Sequence, residues 1–451
     1  YRAIASADEI WAQPGTALIA SGLALETLFF GDLLANLSVT PEFEALYEYK
    51  NAPNTFEESD YTEPHRRAMT ELAESLWNIS LSDIAADRGM STAEVRAGLE
   101  SSPMSAERMV EMNFATHLGW PEDALEAALE RAGEDAIAID ASSYTAASSP
   151  FGSPVIAIVG GQGGIVTGGA GGSFLQEGSG FASDTIADAL LRAGRDEDVQ
   201  AIVFRVDSPG GSATASDQIW RAVERVRTEY EKPVIVSMAS VAASGGYYVS
   251  TGADWIMANR STITGSIGIF AGKFAMEEAL ARIGVNAESI KVGGEFTGAF
   301  STLEPFTDFQ RAEVRAWLER GYGRFTTLVS EGRGLTMEQV DEVARGRVWS
   351  GQDAVGRGLV DELGGLTAAI AKAKELANLE DDVEVRLVTY PMADASFPFL
   401  GVSSGASAAE LKAFGDLAKI VNSPEAQALL MEIESARDVR LQARMAPIGE
   451  N

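Results

Sequence analysis

The sequence has no cysteine and only two histidines, His65 and His117, among its 451 residues. The absence of cysteine excludes disulfides, cysteine nucleophiles and thiolate metal sites. Basic residues are also scarce, because 35 Lys and Arg stand against 66 Asp and Glu and leave a net charge of −31. Such an acidic surface argues against nucleic acid as a partner and against electrostatic docking on anionic lipid. No set of residues has the spacing of metal ligands, so neither a metal nor a cofactor is expected.

The sequence also lacks long hydrophobic runs. The longest, such as residues 16–25, are interrupted by polar residues or glycine and are too short to span a bilayer. The chain opens at Tyr1 without an initiator methionine or a signal peptide. We expect the first structural unit to be incomplete at its N-terminus, with a membrane anchor further upstream.

An internal repeat determines the expected architecture. Residues 1–22 align with residues 247–268, so that residue 1 matches residue 247 at a spacing of 246 residues. The match continues one residue out of step, with residues 88–92 on 333–337 and residues 105–110 on 350–355. We therefore expect copy 1 at residues 1–139, a linker at 140–153, copy 2 at 154–389 and a C-terminal tail at 390–451.

Copy 2 alternates apolar strand-like runs with helical stretches. Strands are predicted at residues 155–159, 201–206, 233–238 and 255–258, and helices at 187–193 and 213–230. This alternation indicates an α/β fold of stacked βαβ units with largely parallel strands.

Ser244 is the strongest candidate nucleophile. It follows the predicted strand at 233–238 and sits in the turn Ala242-Ala-Ser-Gly-Gly-Tyr247, which opens onto a hydrophobic run. A serine there lies at the positive end of a helix dipole, beside glycines that let a substrate carbonyl approach the backbone. The alternative role is a helix N-cap. With two histidines in the whole chain, the base is not expected to be an imidazole.

Three linked motifs carry a resemblance to a known family. Arg205-Val-Asp-Ser-Pro-Gly-Gly-Ser212, the Ser244 turn and Thr262-Ile-Thr-Gly-Ser-Ile-Gly-Ile-Phe270 occur in this order. Together with the duplication, they resemble the signal peptide peptidase A family of serine–lysine peptidases in its long, duplicated form. The resemblance implies a tandem of Clp/crotonase-like ββα-type units. It also implies degradation of cleaved signal peptides or other short hydrophobic peptides, on the periplasmic side of the bacterial inner membrane, by a homotetramer.

The resemblance places the catalytic lysine at Lys50, within Tyr47-Glu-Tyr-Lys-Asn-Ala-Pro53. The repeat supports this independently, because the same position in copy 2 is Phe296, so that copy 2 holds no lysine there. We expect each copy to retain half of a dyad, although the nucleophile position of copy 1 falls before Tyr1. Taken alone, Lys50 is also compatible with a solvated surface lysine. As a base it must be neutral, which requires desolvation, and its apolar neighbours are suited to supply that. These neighbours are Tyr47, Tyr49, Ala52, Pro53 and Phe56.

The resemblance assigns three further positions. Ser266 orients the lysine amine, although a turn serine can instead bond its own backbone. The oxyanion donors match Gly245 and the turn formed by Gly210 and Gly211, and the sequence leaves open which turn glycine donates.

Two other features invite a functional interpretation. His65 and His117 align with Gln310 and Glu362 in copy 2, which indicates solvated, non-catalytic positions. The glycine-rich segment 160–172 lacks the Gly-Lys-Ser/Thr ending of a P-loop, so a flexible rim loop is expected and no nucleotide.

Two rival functions remain open at this point. One is a crotonase-like acyl-CoA enzyme, which shares the oxyanion hole but uses carboxylates. The other is a non-catalytic membrane-associated scaffold. Only the peptidase requires covalent capture of a substrate at Ser244.

Overall fold

The structure is a computed structural model that describes residues 1–140, 143, 152–169 and 181–390. All of these residues belong to one compact unit. The predicted linker at 140–153 lies largely outside the described residues, and so does the predicted tail beyond residue 390.

Copy 1 consists of helices joined to short strands, after a 3-10 turn at Arg2–Ile4. Its strands are β1 (Trp11–Ala12), β2 (Ala17–Leu18), β3 (Thr40–Ala45), β4 (Met104–Ser105) and β5 (His117–Leu118). Its helices are α1 (Gly31–Asn36), α2 (Asn54–Glu57), α3 (Glu63–Arg88), α4 (Thr92–Glu100), α5 (Ala106–Glu111) and α6 (Pro121–Ala132).

Copy 2 contains the main sheet. Its strands are β6 (Val155–Gln162), β7 (Val199–Ser208), β8 (Val234–Ala243), β9 (Trp255–Ala258), β10 (Ile263–Gly265), β11 (Phe270–Ala275), β12 (Val348–Ser350), β13 (Glu362–Leu363) and β14 (Arg386–Tyr390). Its helices are α7 (Ser183–Arg195), α8 (Ala213–Glu229), α9 (Gly245–Ser250), α10 (Glu277–Arg282), α11 (Asp308–Arg333), α12 (Met337–Val343), α13 (Gly351–Gly356) and α14 (Leu366–Leu376).

The main sheet has eight strands, with the order β12-β10-β8-β7-β6-β14 and with β9 pairing both β8 and β13. All of its pairs are parallel except β10 with β12. Because β7, β8 and β10 are parallel neighbours, their carboxyl ends meet at one edge, the place where open α/β sheets bind ligands. The predicted α/β class is confirmed.

Helices cover both faces of this sheet. On β7, Ile202 and Phe204 belong to the large core beneath α7, α8 and α11, whereas Ala201 and Val203 pack toward α14. Burial on both faces explains why these strands read as continuous apolar runs rather than as alternating patterns.

The duplication is visible in the structure. β1 pairs β5 in parallel as β9 pairs β13, with Trp11 opposite His117 and Met257 opposite Glu362. β2 pairs β4 in antiparallel fashion as β10 pairs β12. The long helices α3 and α11 have 26 residues each, are capped by threonine and end at a left-handed glycine. No helix among the described residues combines the length and the apolar character needed to cross a bilayer.

One pairing joins the two copies. β3 of copy 1 lies antiparallel to β11 of copy 2 over six residue pairs, from Phe270 opposite Ala45 to Ala275 opposite Thr40. Arg311 on α11 then bonds the carboxylates of Glu42 and Glu44 on β3. This junction holds the chain after β3 against copy 2.

The glycine-rich segment differs from the expected flexible rim loop in its first part. Gly160–Gln162 extend β6 alongside β7, and Ile165 bridges Gly211. Backbone pairing orders these residues, because Ile165 N–H donates to the Gly210 carbonyl and Ser212 N–H donates to Ile165. Residues 170–172 lie outside the described part.

Candidate active site

Ser244 lies where β8 passes into α9. Its N–H donates to the Gly265 carbonyl at 2.9 Å, which ties the turn to the neighbouring strand β10. The backbone has φ 52° and ψ −117°, a conformation that costs a non-glycine residue of order 1–3 kcal/mol and is concentrated at functional sites. Its side chain makes no capping hydrogen bond to the helix, unlike the N-cap alternative. The hydroxyl is instead directed at another partner.

That partner is Lys50, which reaches copy 2 from the segment after β3. Its Nζ lies 3.1 Å from Ser244 Oγ, 3.0 Å from Ser266 Oγ and 3.2 Å from the Ser266 carbonyl oxygen. The residue is only 6% exposed, so it is not the solvated surface lysine that its sequence context also allows.

Ser266 follows β10 directly, next to the strand that carries Ser244. Its N–H donates to the Arg347 carbonyl at 2.7 Å, and its φ is 49°. This turn directs both the hydroxyl and the carbonyl of Ser266 to the same amine, in contrast to a turn serine that bonds only its own backbone.

The electrostatics of Lys50 follow from burial. Desolvation lowers the pKa of Lys50 to about 8. A neutral amine has two N–H donors, which match the two acceptors on Ser266, and one lone pair, which remains for the Ser244 proton. The arrangement can therefore accept the serine proton without a histidine or a carboxylate.

Groups that the sequence did not indicate also pack against Lys50. The ring of Tyr47 packs on Tyr322, Tyr49 lies beneath Arg67 and Arg347, and Phe56 packs on Phe30, Phe43 and Phe274. Two glycines of copy 2 allow this close packing against Lys50. A Cβ on Gly346 would lie 2.5 Å from Lys50 N, and one on Gly268 would lie 3.2 Å from Lys50 Cδ.

Two backbone N–H groups face the Ser244 turn. Gly245 N–H lies at the first position of α9, where no intrahelical acceptor exists. Gly211 N lies 3.2 Å from the position of a Cβ on Gly245, and its N–H points away from Ile165 because the bridge uses the flanking residues. Gly210 N–H is already bonded to Ser208 Oγ at 3.1 Å. Of the two turn glycines, Gly211 is therefore the one whose N–H is available at the Ser244 turn.

The histidines lie outside this constellation, although one differs from expectation. His65 is not solvated but 6% exposed, because its ring packs between Phe29 and Tyr61 at the start of α3. His117 is exposed and stacks on Trp11. Within the described ranges, no group of three or more acidic or histidine side chains could hold a metal.

Sequence reasoning missed the residues that support the site. Ser208 Oγ accepts the hydrogen bond of Gly210 N–H. The carbonyls of Gly265 and Arg347 accept the N–H groups of Ser244 and Ser266. Gly346, which has no side chain, leaves space for Lys50. Ser208 and Gly265 lie within the quoted motifs, but their role depends on a backbone direction that a motif does not reveal. Gly346 lies in no motif at all.

A model of peptidase family S49 matches residues 1–134 and 227–380. The chain belongs to peptidase family S49. Since two separate segments match one family model, the S49 assignment agrees with the duplication seen in the fold. The resemblance drawn from the three motifs is confirmed at the level of the family.

Known S49-type relatives match most of the chain. Protease 4 of Haemophilus influenzae is 35% identical over 407 residues, which cover 86% of this chain and 64% of that protein. The chloroplastic serine protease SPPA of Arabidopsis thaliana is 28% identical over 415 residues, covering 89% and 60%. The chain therefore spans a little under two thirds of the length of these relatives. A ClpP1 variant from Listeria monocytogenes matches at 16% identity and a TM-score of 0.31, covering 47% of this chain and 94% of that one.

Proposed function

We propose that this chain is a serine peptidase that cleaves peptides with a Ser244–Lys50 dyad. The observation that carries the proposal is the 3.1 Å contact between Lys50 Nζ and Ser244 Oγ in a site where the amine is buried. The lowered pKa of Lys50, about 8, supports it because a useful fraction of the amine, roughly one in ten, is neutral at pH 7.

In the proposed reaction, Ser244 Oγ attacks the carbonyl carbon of the scissile bond while its proton passes to Lys50 Nζ. The carbonyl oxygen becomes an oxyanion that accepts hydrogen bonds from the N–H groups of Gly211 and Gly245. One such donor contributes about 2.7–4 kcal/mol in a comparable hydrolase. The intermediate collapses when the Lys50 ammonium returns a proton to the leaving amine, which leaves an acyl ester on Ser244.

Hydrolysis of the ester repeats the same steps with water. Lys50, neutral again, takes a proton from the water as its oxygen attacks the acyl carbon. The proton then returns to Ser244 Oγ as the ester bond breaks, which releases the acid and restores the enzyme. Ser266 keeps the two amine protons of Lys50 directed away from Ser244 throughout.

The proposed substrates are signal peptides after their release, or other short hydrophobic peptides, met at the periplasmic side of the inner membrane. Support comes from the three motifs and from the relatives named Protease 4 and SPPA. The rival acyl-CoA chemistry of crotonase-like enzymes depends on carboxylates, and the recorded partners of the Lys50 amine are hydroxyls and a carbonyl. A non-catalytic scaffold gains nothing from a buried amine whose recorded partners include no carboxylate.

Hydrolysis of a fluorogenic apolar peptide tests this function. We expect Ser244→Ala and Lys50→Ala each to abolish turnover and to retain the fold, since members of a dyad act as a unit. The matched control replaces both His65 and His117 and should remain active, as should the wild type in the presence of chelator. A folded double-histidine variant without activity would contradict the proposal.

A further inference from the structure

The segment Arg345-Gly346-Arg347, here called the clasp, lies between α12 and β12 and contacts Lys50 on one side and Ser266 on the other. The Arg347 carbonyl accepts Ser266 N–H at 2.7 Å. Gly346 packs so closely on the backbone of Lys50 that a Cβ there would lie 2.5 Å from Lys50 N. One short segment of copy 2 therefore touches both the proposed base and the serine that orients it.

The guanidinium of Arg347 contacts the residue next to Lys50. It lies 5.1 Å from the ring centroid of Tyr49, in copy 1, and 4.3 Å from that of Trp349, in copy 2. It also pairs with Glu71 on α3, and the Arg347 side chain is only 17% exposed. A cation is attracted to the face of an aromatic ring, and more strongly where water is excluded. This one side chain therefore holds Tyr49 of copy 1 against copy 2.

Arg345 makes similar contacts slightly earlier in copy 1. Its guanidinium lies 4.9 Å from the ring centroid of Tyr47 and bonds Glu48 at 2.9 Å. The three residues before Lys50 are thus all contacted by arginines of the clasp. Arg345 has the more exposed side chain of the two, at 38%, and exposed charge contacts are weak. Arg347 is therefore the stronger anchor.

The repeat indicates that the arginines of the clasp serve the site rather than the fold. The copy 1 positions that match the clasp are Glu100, Ser101 and Ser102. In copy 1, Ser102 Oγ accepts Ala20 N–H at 3.0 Å, so a hydroxyl takes the place of the Arg347 carbonyl. Tyr49 likewise matches Glu295 in copy 2. The turn is held in both copies, whereas the guanidinium and its tyrosine occur together only beside Lys50.

We propose that Arg347 is a positioning residue, which holds Lys50 in its buried place and Ser266 on the amine. The guanidinium fixes Tyr49 and therefore the adjacent Lys50, and the carbonyl of the same residue fixes the Ser266 turn. The inference rests on the proposed function, in which Lys50 is the base. Loss of the guanidinium leaves the carbonyl in place but releases the segment around Tyr49, so that water reaches the amine.

Desolvation, rather than charge, links this contact to the chemistry of Lys50. The titratable side chains on the segments around Lys50 include Tyr47, Glu48, Tyr49, Arg345 and Arg347, and α3 adds Arg67 and Glu71. The carboxylates in this set are paired with arginines. Burial is the cause of the lowered pKa of Lys50. A variant that admits water should therefore raise this pKa toward its ordinary value.

The pH profile of peptide hydrolysis tests the proposal. Arg347→Met should move the acidic limb of kcat/KM upward by about one pH unit, which lowers the rate about tenfold at pH 7 and leaves it near wild type at pH 10. A merely structural loss would lower the rate by the same factor at every pH. Tyr49→Leu removes the ring on the copy 1 side and should shift the limb in the same direction, which keeps the test available if Arg347→Met does not fold.

Two controls separate the stacking contact from its neighbours. Arg357→Met removes a guanidinium that lies 3.7 Å from the centroid of the same Trp349 ring but bonds Asp353 of copy 2. Glu71→Gln removes the ion pair of Arg347 and keeps its contacts with both rings. Both variants should keep the acidic limb of the wild type. An equal shift in Arg357→Met, or an unshifted limb in folded Arg347→Met or Tyr49→Leu, would overturn the inference.

NMR of protein labelled with carbon-13 lysine provides a readout that does not require activity. The Lys50 signal, identified by its loss in Lys50→Met, should titrate with a midpoint near 8 in the wild type and in Arg357→Met. The midpoint should be higher in Arg347→Met, and equal midpoints would overturn the inference. If the midpoint shifts as expected but the wild type hydrolyses no peptide, the positioning role is supported and the proposed function is contradicted.

Discussion

Lys50 bears the main energetic cost of the site at the scale of single residues. Its backbone and aliphatic stem pack against Gly346 and Gly268, and its buried amine has hydroxyl and carbonyl partners, which do not compensate a positive charge as a carboxylate would. The acidic surface of the molecule does not reverse this, because desolvation sets the direction of the shift in the pKa of Lys50.

The pH dependence of turnover follows from this residue. We expect kcat/KM to rise with pH along an acidic limb whose apparent pKa is near 8, since the neutral amine is the working form. Ser266→Ala should lower kcat and leave measurable activity, because it removes one of the two acceptors that orient the amine. Initial rates between pH 6 and pH 10 provide the measurement. A limb that rises only near pH ~10 would mean that Lys50 is solvated.

Replacing Lys50 with an apolar side chain should stabilise the fold, although it should abolish the proposed activity. The folded-state pKa of Lys50 lies below its value of 10.5 in the unfolded chain, so protonation favours unfolding at neutral pH. Lys50→Met removes this cost and should raise the free energy of unfolding at pH 6 by up to about 3 kcal/mol.

The advantage of Lys50→Met should shrink as the pH rises from 8 to 10.5 and disappear above that range. Urea unfolding at several pH values measures it. A variant less stable than wild type at pH 6 would show that burial does not disfavour the protonated form of Lys50.

Residue identities could be predicted here, but their surroundings could not. The motifs and the repeat indicate Ser244, Lys50 and Ser266. In the structure, oxygen atoms of both serines lie within 3.2 Å of the Lys50 amine. The close packing of Gly268 and Gly346 against Lys50 was not predicted. Packing by a glycine nearly 300 positions away in sequence leaves no local signal.

At the scale of elements, the site depends on three parallel strands ending at one edge. β7 leads to the Gly210–Gly211 turn, β8 to Ser244 and β10 to Ser266. The turn after β7 admits no side chain, since a Cβ on Gly211 would lie 2.2 Å from the Ile165 carbonyl oxygen.

Gly211→Ala should therefore shift the proposed oxyanion donor and lower kcat by about 10² or more. The matched control is Gly163→Ala, which also has a positive φ, 91°, but has open space around its Cβ. It carries the backbone strain without the displacement and should keep kcat within a fewfold of wild type. Stopped assays of both variants, with melting temperatures to exclude unfolding, make the comparison. Equal losses in the two variants would remove Gly211 from the mechanism.

Periodicity predicted the parallel sheet, and the repeat predicted the paired elements of the two copies. The repeat could not predict that β3 pairs with β11, because the positions of copy 2 that correspond to β3, residues 286–291, form no strand. The prediction of a flexible loop for the glycine-rich segment was wrong for residues 160–162, which belong to β6. The glycines suggested mobility, whereas Gly161 allows Phe181 to pack against the backbone of β6.

At the scale of the whole molecule, the proposed dyad is divided between the two copies of the repeat. Lys50 comes from copy 1 and Ser244 from copy 2 of the same chain, held by the β3–β11 pairing. The division makes the site dependent on the pairing of the two copies, because its two groups come from different copies.

Mixing Lys50→Ala and Ser244→Ala chains under conditions that exchange subunits should therefore restore no activity. Each Ser244 still faces an alanine, and each Lys50 faces an alanine in turn. Recovery toward a quarter of wild-type activity would assign the lysine to a neighbouring chain and would preserve the chemistry. Fluorescence exchange between labelled chains provides the control that subunits have mixed.

Covalent capture tests the dyad most directly. A serine-reactive acylating peptide inhibitor, followed by mass mapping, should label Ser244 alone, at a rate that rises with pH through an apparent pKa near 8. Lys50→Met should lose this labelling and remain folded. Labelling at another residue, or labelling of Ser244 in Lys50→Met at the wild-type rate, would contradict the assignment of Ser244 as nucleophile and Lys50 as its base.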